Sequence, residues 1–170
     1  MTSPLDNGNR WAVLGVTVFA LGCLAAVGAR TPALALINES PSLPRGLYLR
    51  DAGATIGRGA TVALPQPAAG RAYLGALGMP PEVLLIKRVA AVGGDRVCRR
   101  GDAIAAADRS VPVRDRDHRG AALPQWRGCR RLGPGELFLL GDTPGSFDSR
   151  YFGPVRSDDV EGVFREALRW

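Results

Sequence analysis

Nineteen consecutive residues, from Trp11 to Ala29, carry no charge, and this run constrains the chain more than any other feature. It reads Trp-Ala-Val-Leu-Gly-Val-Thr-Val-Phe-Ala-Leu-Gly-Cys-Leu-Ala-Ala-Val-Gly-Ala and is bracketed by Arg10 and Arg30. About 20 such residues cross a bilayer core as a helix. A helix buried in a soluble domain would show a polar stripe, whereas this run offers only Thr17 and small residues. Trp11 stands where an interfacial aromatic anchor would stand. Two readings follow. The segment is a retained membrane anchor, or it is a signal peptide cut after Ala35, since Ala33-Leu34-Ala35 has the small-x-small form of a cleavage site. The weakly basic start and the length of the run favour retention. Arg10 and Arg30 nearly balance, so charge leaves the orientation open.

The organisation expected from this is a tail at 1–10, a transmembrane anchor at 11–29 and one domain over 30–170. Glycine (22) and proline (13) are abundant in the 170 residues, which favours short strands and turns over a helix bundle. Leu47 to Arg50 can begin a strand, Thr61 to Leu64 forms one closed by Pro65, and Val83 to Val92 is the clearest of all. Gly93-Gly94-Asp95 then turns the chain, and Arg96-Val97-Cys98 resumes an extended course. Gly70 to Gly78 reads as a loop or a short helix. Glu136 to Leu140 is another strand, and 158–170 holds a short strand and a helical turn. Residues 99–131 are highly charged and read as a solvated excursion from the core. The expected fold class is mainly β, an irregular sandwich or barrel behind one transmembrane helix.

The net charge is +6. The arginines are scattered and no aromatic-interleaved basic face is visible, so nucleic acid is not expected as a partner. One detail matters more than the sum. Of the 22 basic residues only Lys87 is a lysine. Arginine keeps its proton in a protein, whereas a desolvated lysine can lose it. Any side-chain amine base must therefore be Lys87. On the expected strand it shares a face with Val83, Leu85 and Val89, and Arg88 points the other way. Burial among apolar neighbours would lower its pKa and free the amine to take a proton from a serine. The bland alternative is a lysine that snorkels to water.

There are three cysteines. Cys23 lies in the apolar run and reads as a packing residue. The spacing of Cys98 and Cys129 fits no zinc pattern, and His118 is the sole histidine, so neither metal nor cofactor is expected. The pair forms a disulfide if the domain is exported, and two free thiols if it is not. Closing such a loop stabilises by roughly 3–4 kcal/mol on the chain-entropy model.

Three separated segments carry candidate chemistry. The first is Asn38-Glu39-Ser40-Pro41-Ser42-Leu43-Pro44-Arg45-Gly46-Leu47-Tyr48, where prolines stiffen the chain around two hydroxyls; a plain turn would look similar. The second is Lys87 in its apolar strand. The third, Leu140 to Pro154, packs Asp142, Ser146, Asp148, Ser149 and Arg150 into a turn-rich loop of the kind that often holds functional groups. A structural ion pair would also account for Asp148 and Arg150.

In this order the three segments resemble the type I signal peptidase family, and most closely its conjugal-transfer, TraF-type branch. The likeness is carried by Ser42-Leu43-Pro44 with Arg45-Gly46-Leu47-Tyr48, by Ile86-Lys87-Arg88-Val89 with Gly93-Gly94-Asp95, and by Gly141-Asp142 through Arg150. Cys98 and Cys129 fall where members of the branch carry a cysteine pair. The resemblance implies that Ser42 is the nucleophile and Lys87 the general base. It implies that Ser40 joins the Ser42 backbone N–H in an oxyanion hole, with such donors contributing about 3–4 kcal/mol each. Ser146 would orient the lysine, Asp148 and Arg150 would form a supporting salt bridge, and Asp142 would be a nearby acidic support. Leu43 stands where the main family has methionine, and Thr143 where it has asparagine, which bears on substrate choice and on the shape of the site.

The implied activity is that of a serine endopeptidase in the inner membrane, with its domain on the periplasmic face. It would cleave exported precursors after small residues, a pilin precursor foremost. Two alternatives remain: a transpeptidase that cyclises the pilin, and a non-catalytic component of the conjugative transfer machinery. A Ser-His-Asp hydrolase is disfavoured because His118 lies in a charged run.

Overall fold

Among the described residues, short aliphatic runs cut by Gly and Pro become eleven strands in two antiparallel sheets. The computed structural model describes residue 11, residues 13–18 and residues 32–170. The chain divides into two units, Met1–Pro32 and Ala33–Trp170. In the first, residues 13–18 are helical, and the Thr17 hydroxyl donates to the Val13 carbonyl at 2.8 Å. Among the described residues no helix is long and apolar enough to cross a membrane. Most of the 11–29 run expected to do so, Cys23 included, lies outside the described residues.

In the second unit the strands are β1 (Ala35–Asn38), β2 (Gly46–Arg50), β3 (Thr61–Leu64), β4 (Leu85–Val92), β5 (Arg96–Arg100), β6 (Ala103–Ala106), β7 (Arg109–Pro112), β8 (Cys129–Arg131), β9 (Glu136–Leu140), β10 (Val155–Arg156) and β11 (Gly162–Arg169). Seven form one sheet in the order β1-β2-β11-β3-β4-β9-β10, and four form the other in the order β7-β6-β5-β8. The helices are α1 (Ala68–Ala76) and α2 (Ser149–Phe152).

β4 lies between β3 and β9, and its two faces serve different cores. Leu85 and Val89 pack with Val62, Leu64, Leu139 and Leu74 of α1. Ile86 packs with Leu43, Tyr48, Ala63 and Phe164 on the opposite face. A strand covered on both sides loses the polar alternation of a half-exposed one, which is why its sequence reads as a nearly continuous apolar run. The turn from β4 to β5 needs Gly94 at φ +90, a region that disfavours a Cβ.

Two expectations change. The charged stretch 99–131 contributes to all four strands of the second sheet, while residues 114–122, between β7 and β8, stay largely exposed. One face of that sheet buries Val97, Ile104 and Ala106 against Phe138, Leu140 and Tyr151. The alternation is present, but small alanines and many arginines obscure it. Cys98 and Cys129 are partners in the β5–β8 register and are joined by a disulfide. The expected strand over Val83 to Val92 begins only at Leu85, because Pro80 and Pro81 hold the residues before it in a turn. Gly70 to Gly78, open between loop and helix, lies mostly in α1, which follows Pro67 and ends near Gly78 at φ +78.

Candidate active site

Ser42 sits in the loop between β1 and β2, and a buried asparagine ties that loop together. The Asn38 amide nitrogen donates to the carbonyls of Ser40, Leu43 and Pro44 at 3.0, 3.0 and 2.9 Å. Its oxygen accepts from the Ser40 N–H at 3.2 Å. Tyr48 closes the same loop by donating its hydroxyl to the Pro44 carbonyl at 2.8 Å. Three backbone carbonyls that no strand satisfies thus find one donor group, and the hydroxyls of Ser40 and Ser42 are held at 2.7 Å from each other. The Ser42 N–H reaches Ser40 Oγ at 3.4 Å.

Lys87 reaches the loop from the middle of β4. Its Nζ donates to Ser42 Oγ at 2.9 Å and to the Ile86 carbonyl at 3.0 Å. The side chain is 4% exposed. Burial pushes its pKa down from 10.5 to about 8, with nearby Asp148 pulling it up and Arg150 pressing it down. An amine so tuned is partly neutral near physiological pH, which is the state a general base requires.

The third segment folds as a buttress behind this pair. Asp148 is fully buried and Arg150 nearly so. Arg150 Nε and Nη2 both donate to the Asp148 carboxylate at 2.8 Å. The remaining guanidinium hydrogens go to the carbonyls of Pro112, Pro144, Thr143 and Ser146. Asp148 also accepts the Gly141 N–H at 2.9 Å. One guanidinium therefore gathers the 141–150 loop and pins it to the end of β7 in the other sheet.

Asp142 does not meet the lysine. Its carboxylate is held in a two-point pair by Arg88, at 3.0 and 2.9 Å, and that contact keeps the carboxyl below its usual pKa. Its backbone N–H, however, donates to the Ser42 carbonyl at 2.6 Å. Lys87 and Arg88 point to opposite faces of β4, so the strand that carries the amine also grips the residue that holds the serine backbone. Ser146 is buried, and its hydroxyl has no hydrogen-bond partner among the described residues. The expected contact from Ser146 to Lys87 is thus not made, although both residues line one groove.

That groove has a volume of about 710 Å³. Ser40, Ser42 and Lys87 lie in it, flanked by the aliphatic side chains of Leu36 and Leu84. Arg114, Asp117 and His118 also line it. There Tyr73 donates to Asp117 at 3.0 Å, and burial together with that carboxylate raises the phenol to about 12. Among the described residues no group of three or more His, Cys, Asp or Glu side chains could hold a metal ion.

Sequence reasoning named Ser40, Ser42, Lys87, Ser146, Asp148 and Arg150, and the fold brings all six together from residues up to 110 apart in the chain. It assigned no role to Asn38. The available signal was an asparagine just before a proline-broken serine loop, a setting in which its side chain substitutes for missing backbone pairing.

The fold thus brings the Ser42 hydroxyl within hydrogen-bonding distance of the buried Lys87 amine on a mainly β scaffold. The chain belongs to the signal peptidase, peptidase S26, family, whose profile matches residues 9–169. It is 29% identical over 169 residues to a plasmid transfer protein TraF of Escherichia coli, covering 92% of this chain and 94% of that one. A second Escherichia coli protein of the same name is 31% identical over 160 residues, covering 86% and 90%. Among solved structures, a signal peptidase I from Enterococcus faecalis is 23% identical with a TM-score of 0.38, covering 65% of this chain and 97% of that one.

Proposed function

We propose that the chain is a membrane-anchored serine endopeptidase that cleaves exported precursor proteins after small residues, a conjugative pilin precursor foremost among them. The observation that carries this is the 2.9 Å contact between Lys87 Nζ and Ser42 Oγ inside an apolar groove. Neutral Lys87 takes the hydroxyl proton as Ser42 Oγ bonds to the scissile carbonyl carbon. The oxyanion is received by the Ser42 N–H and the Ser40 hydroxyl, which in the free site face each other. The C–N bond breaks, and the Lys87 ammonium returns its proton to the leaving amine. Water, deprotonated by the same amine, then releases the acyl group.

Family membership and the plasmid-transfer relatives support a place in conjugative transfer. The uncharged run 11–29 supports an anchor in the inner membrane, and the Cys98–Cys129 disulfide supports a domain on its periplasmic face. Retention of the anchor rather than cleavage after Ala35 is favoured by the fit of that segment. The carbonyls of Ala33 and Leu34 accept hydrogen bonds from Arg50, and Ala35 opens β1.

The test is to incubate a pilin precursor with the wild-type chain, Ser42→Ala and Lys87→Arg, and to map products by mass. Cleavage by the wild type alone is expected. An active Lys87→Arg chain would refute the base, because a guanidinium keeps its proton. A product lighter by one water than the cleaved chain would mean that the substrate's own amine resolves the acyl-enzyme.

A further inference from the structure

The net charge of the chain is not spread over it. Residues 96–131, which span the second sheet, hold ten arginines against Asp102, Asp108, Asp115 and Asp117, a surplus of six that equals the +6 of the whole chain. Outside this stretch the charges cancel. Among the described residues only Arg130 of the ten sits in an ion pair, with Glu136. Arg96 of β5 and Arg131 of β8 are direct register partners, both exposed, with no carboxylate bonded to either. Like charges set opposite each other destabilise a sheet pair. Arg100, two pleats along β5, presents the same face. The neighbours on that face, Ala103 and Ala105 of β6, are small and leave the guanidinium groups prominent.

This face is no membrane-penetrating surface. Every exposed large hydrophobic residue among those described lies outside 84–167. Leu34, Ile37, Leu168 and Trp170 all belong to the β1–β2–β11 edge, and β2, β11 and β3 separate β1 from β4. The basic sheet is instead inserted between β4 and β9, and the chain leaves its edge strand β7 directly into Arg114 on the groove wall. One arginine of the basic stretch, Arg114, thus lines the groove itself.

We propose that the solvent face of the second sheet docks an acidic stretch of the same precursor polypeptide whose scissile bond enters the groove. The proposal rests on the peptidase reading for its substrate, and it adds the chemistry that selects it. Guanidinium forks match carboxylates at two points and steer an acidic chain toward the site, so the effect fades as salt rises.

The test uses the full-length Ser42→Ala chain in neutral detergent and two fluorescent peptides. Both carry one small-residue cleavage site, and they differ only in an Asp/Glu or an Asn/Gln extension. Anisotropy is expected to show the acidic peptide binding about tenfold tighter at low salt, an advantage that high salt abolishes. The triple variant Arg96→Gln, Arg100→Gln, Arg131→Gln should lose that advantage, and the matching triple lysine variant should recover most of it. Equal binding of the two peptides, or an advantage that the glutamine variant keeps, overturns the proposal. Stronger competition by anionic vesicles or by a DNA oligonucleotide than by free acidic peptide overturns it too, in favour of lipid or nucleic acid. Wild-type cleavage of the neutral peptide is read separately. Failure to cut it sinks the peptidase reading and leaves the binding comparison intact.

Discussion

Burying Lys87 lowers the pH at which its amine becomes a base and, by the same physics, weakens the fold. With a pKa of about 8, the neutral fraction falls tenfold for each pH unit below that value. The ratio kcat/KM on a peptide substrate should follow it, rising up to about pH 8 and levelling above. A pH profile that is flat between 6 and 8 would remove the amine from the mechanism. The stability effect has the opposite sense. The unfolded lysine binds its proton up to 10.5, so below pH 8 the folded state carries the full cost of a buried ammonium, and between 8 and 10.5 that cost is progressively lost. Lys87→Met should therefore stabilise the chain at pH 7, by up to about 3 kcal/mol for a shift of this size, with the gain gone above pH 10.5. Urea unfolding at the two pH values checks it. Gly141 is a second sensitive position. A Cβ there would meet the Ser146 side chain and lie 2.8 Å from the Ser42 carbonyl oxygen, so Gly141→Ala should cut kcat by on the order of a hundredfold through a misplaced nucleophile.

At the scale of elements, the site depends on loops whose backbone groups are satisfied by side chains rather than by strands. Asn38 does this for the loop that carries Ser42 and Arg150 for the 141–150 loop. Removing either has a distinct signature. Asn38→Leu should lower kcat by roughly ten- to a hundredfold with little change in KM, because the dyad loses its alignment while the groove keeps its apolar walls. Arg150→Ala leaves the Asp148 charge buried without its partner, and should cost about 3–5 kcal/mol in urea unfolding. Should Arg150→Ala unfold at the wild-type midpoint, Arg150 would not be what holds the 141–150 loop.

At the scale of the whole molecule, the two sheets are joined by the Arg150 contact to Pro112, by the core around Phe138 and Leu140, and by the turn at Gly94. The Cys98–Cys129 disulfide closes a loop of sequence separation 31 within the second sheet. The double variant Cys98→Ala, Cys129→Ala should lose roughly 3–4 kcal/mol, and a reductant should reproduce that loss in the wild type alone. Because Arg114 and His118 of the groove lining lie in the stretch between β7 and β8 that this bridge closes, the double variant should also raise KM more than it lowers kcat.

What the sequence determined by itself is what neighbours along the chain encode. The strand over Thr61–Leu64 and that over Glu136–Leu140 are legible because each is a short apolar run closed by a proline or a Gly-Asp turn. Lys87 is singled out because no other lysine exists. The order of the three segments is enough to suggest that they act together. The second sheet was illegible for a local reason as well: alanines bury a face without looking hydrophobic, and arginines between them read as solvent. Tertiary structure alone decided that Ser42 and Lys87, separated by 45 positions, share a hydrogen bond, that Asp142 turns to Arg88 and not to the lysine, that the Ser146 hydroxyl is buried without a partner among the described residues, and that Arg96, Arg100 and Arg131 share one face of the second sheet. Such facts depend on which distant surfaces close over one another. That choice is made by the combined burial of three cores, and no short stretch of residues carries it.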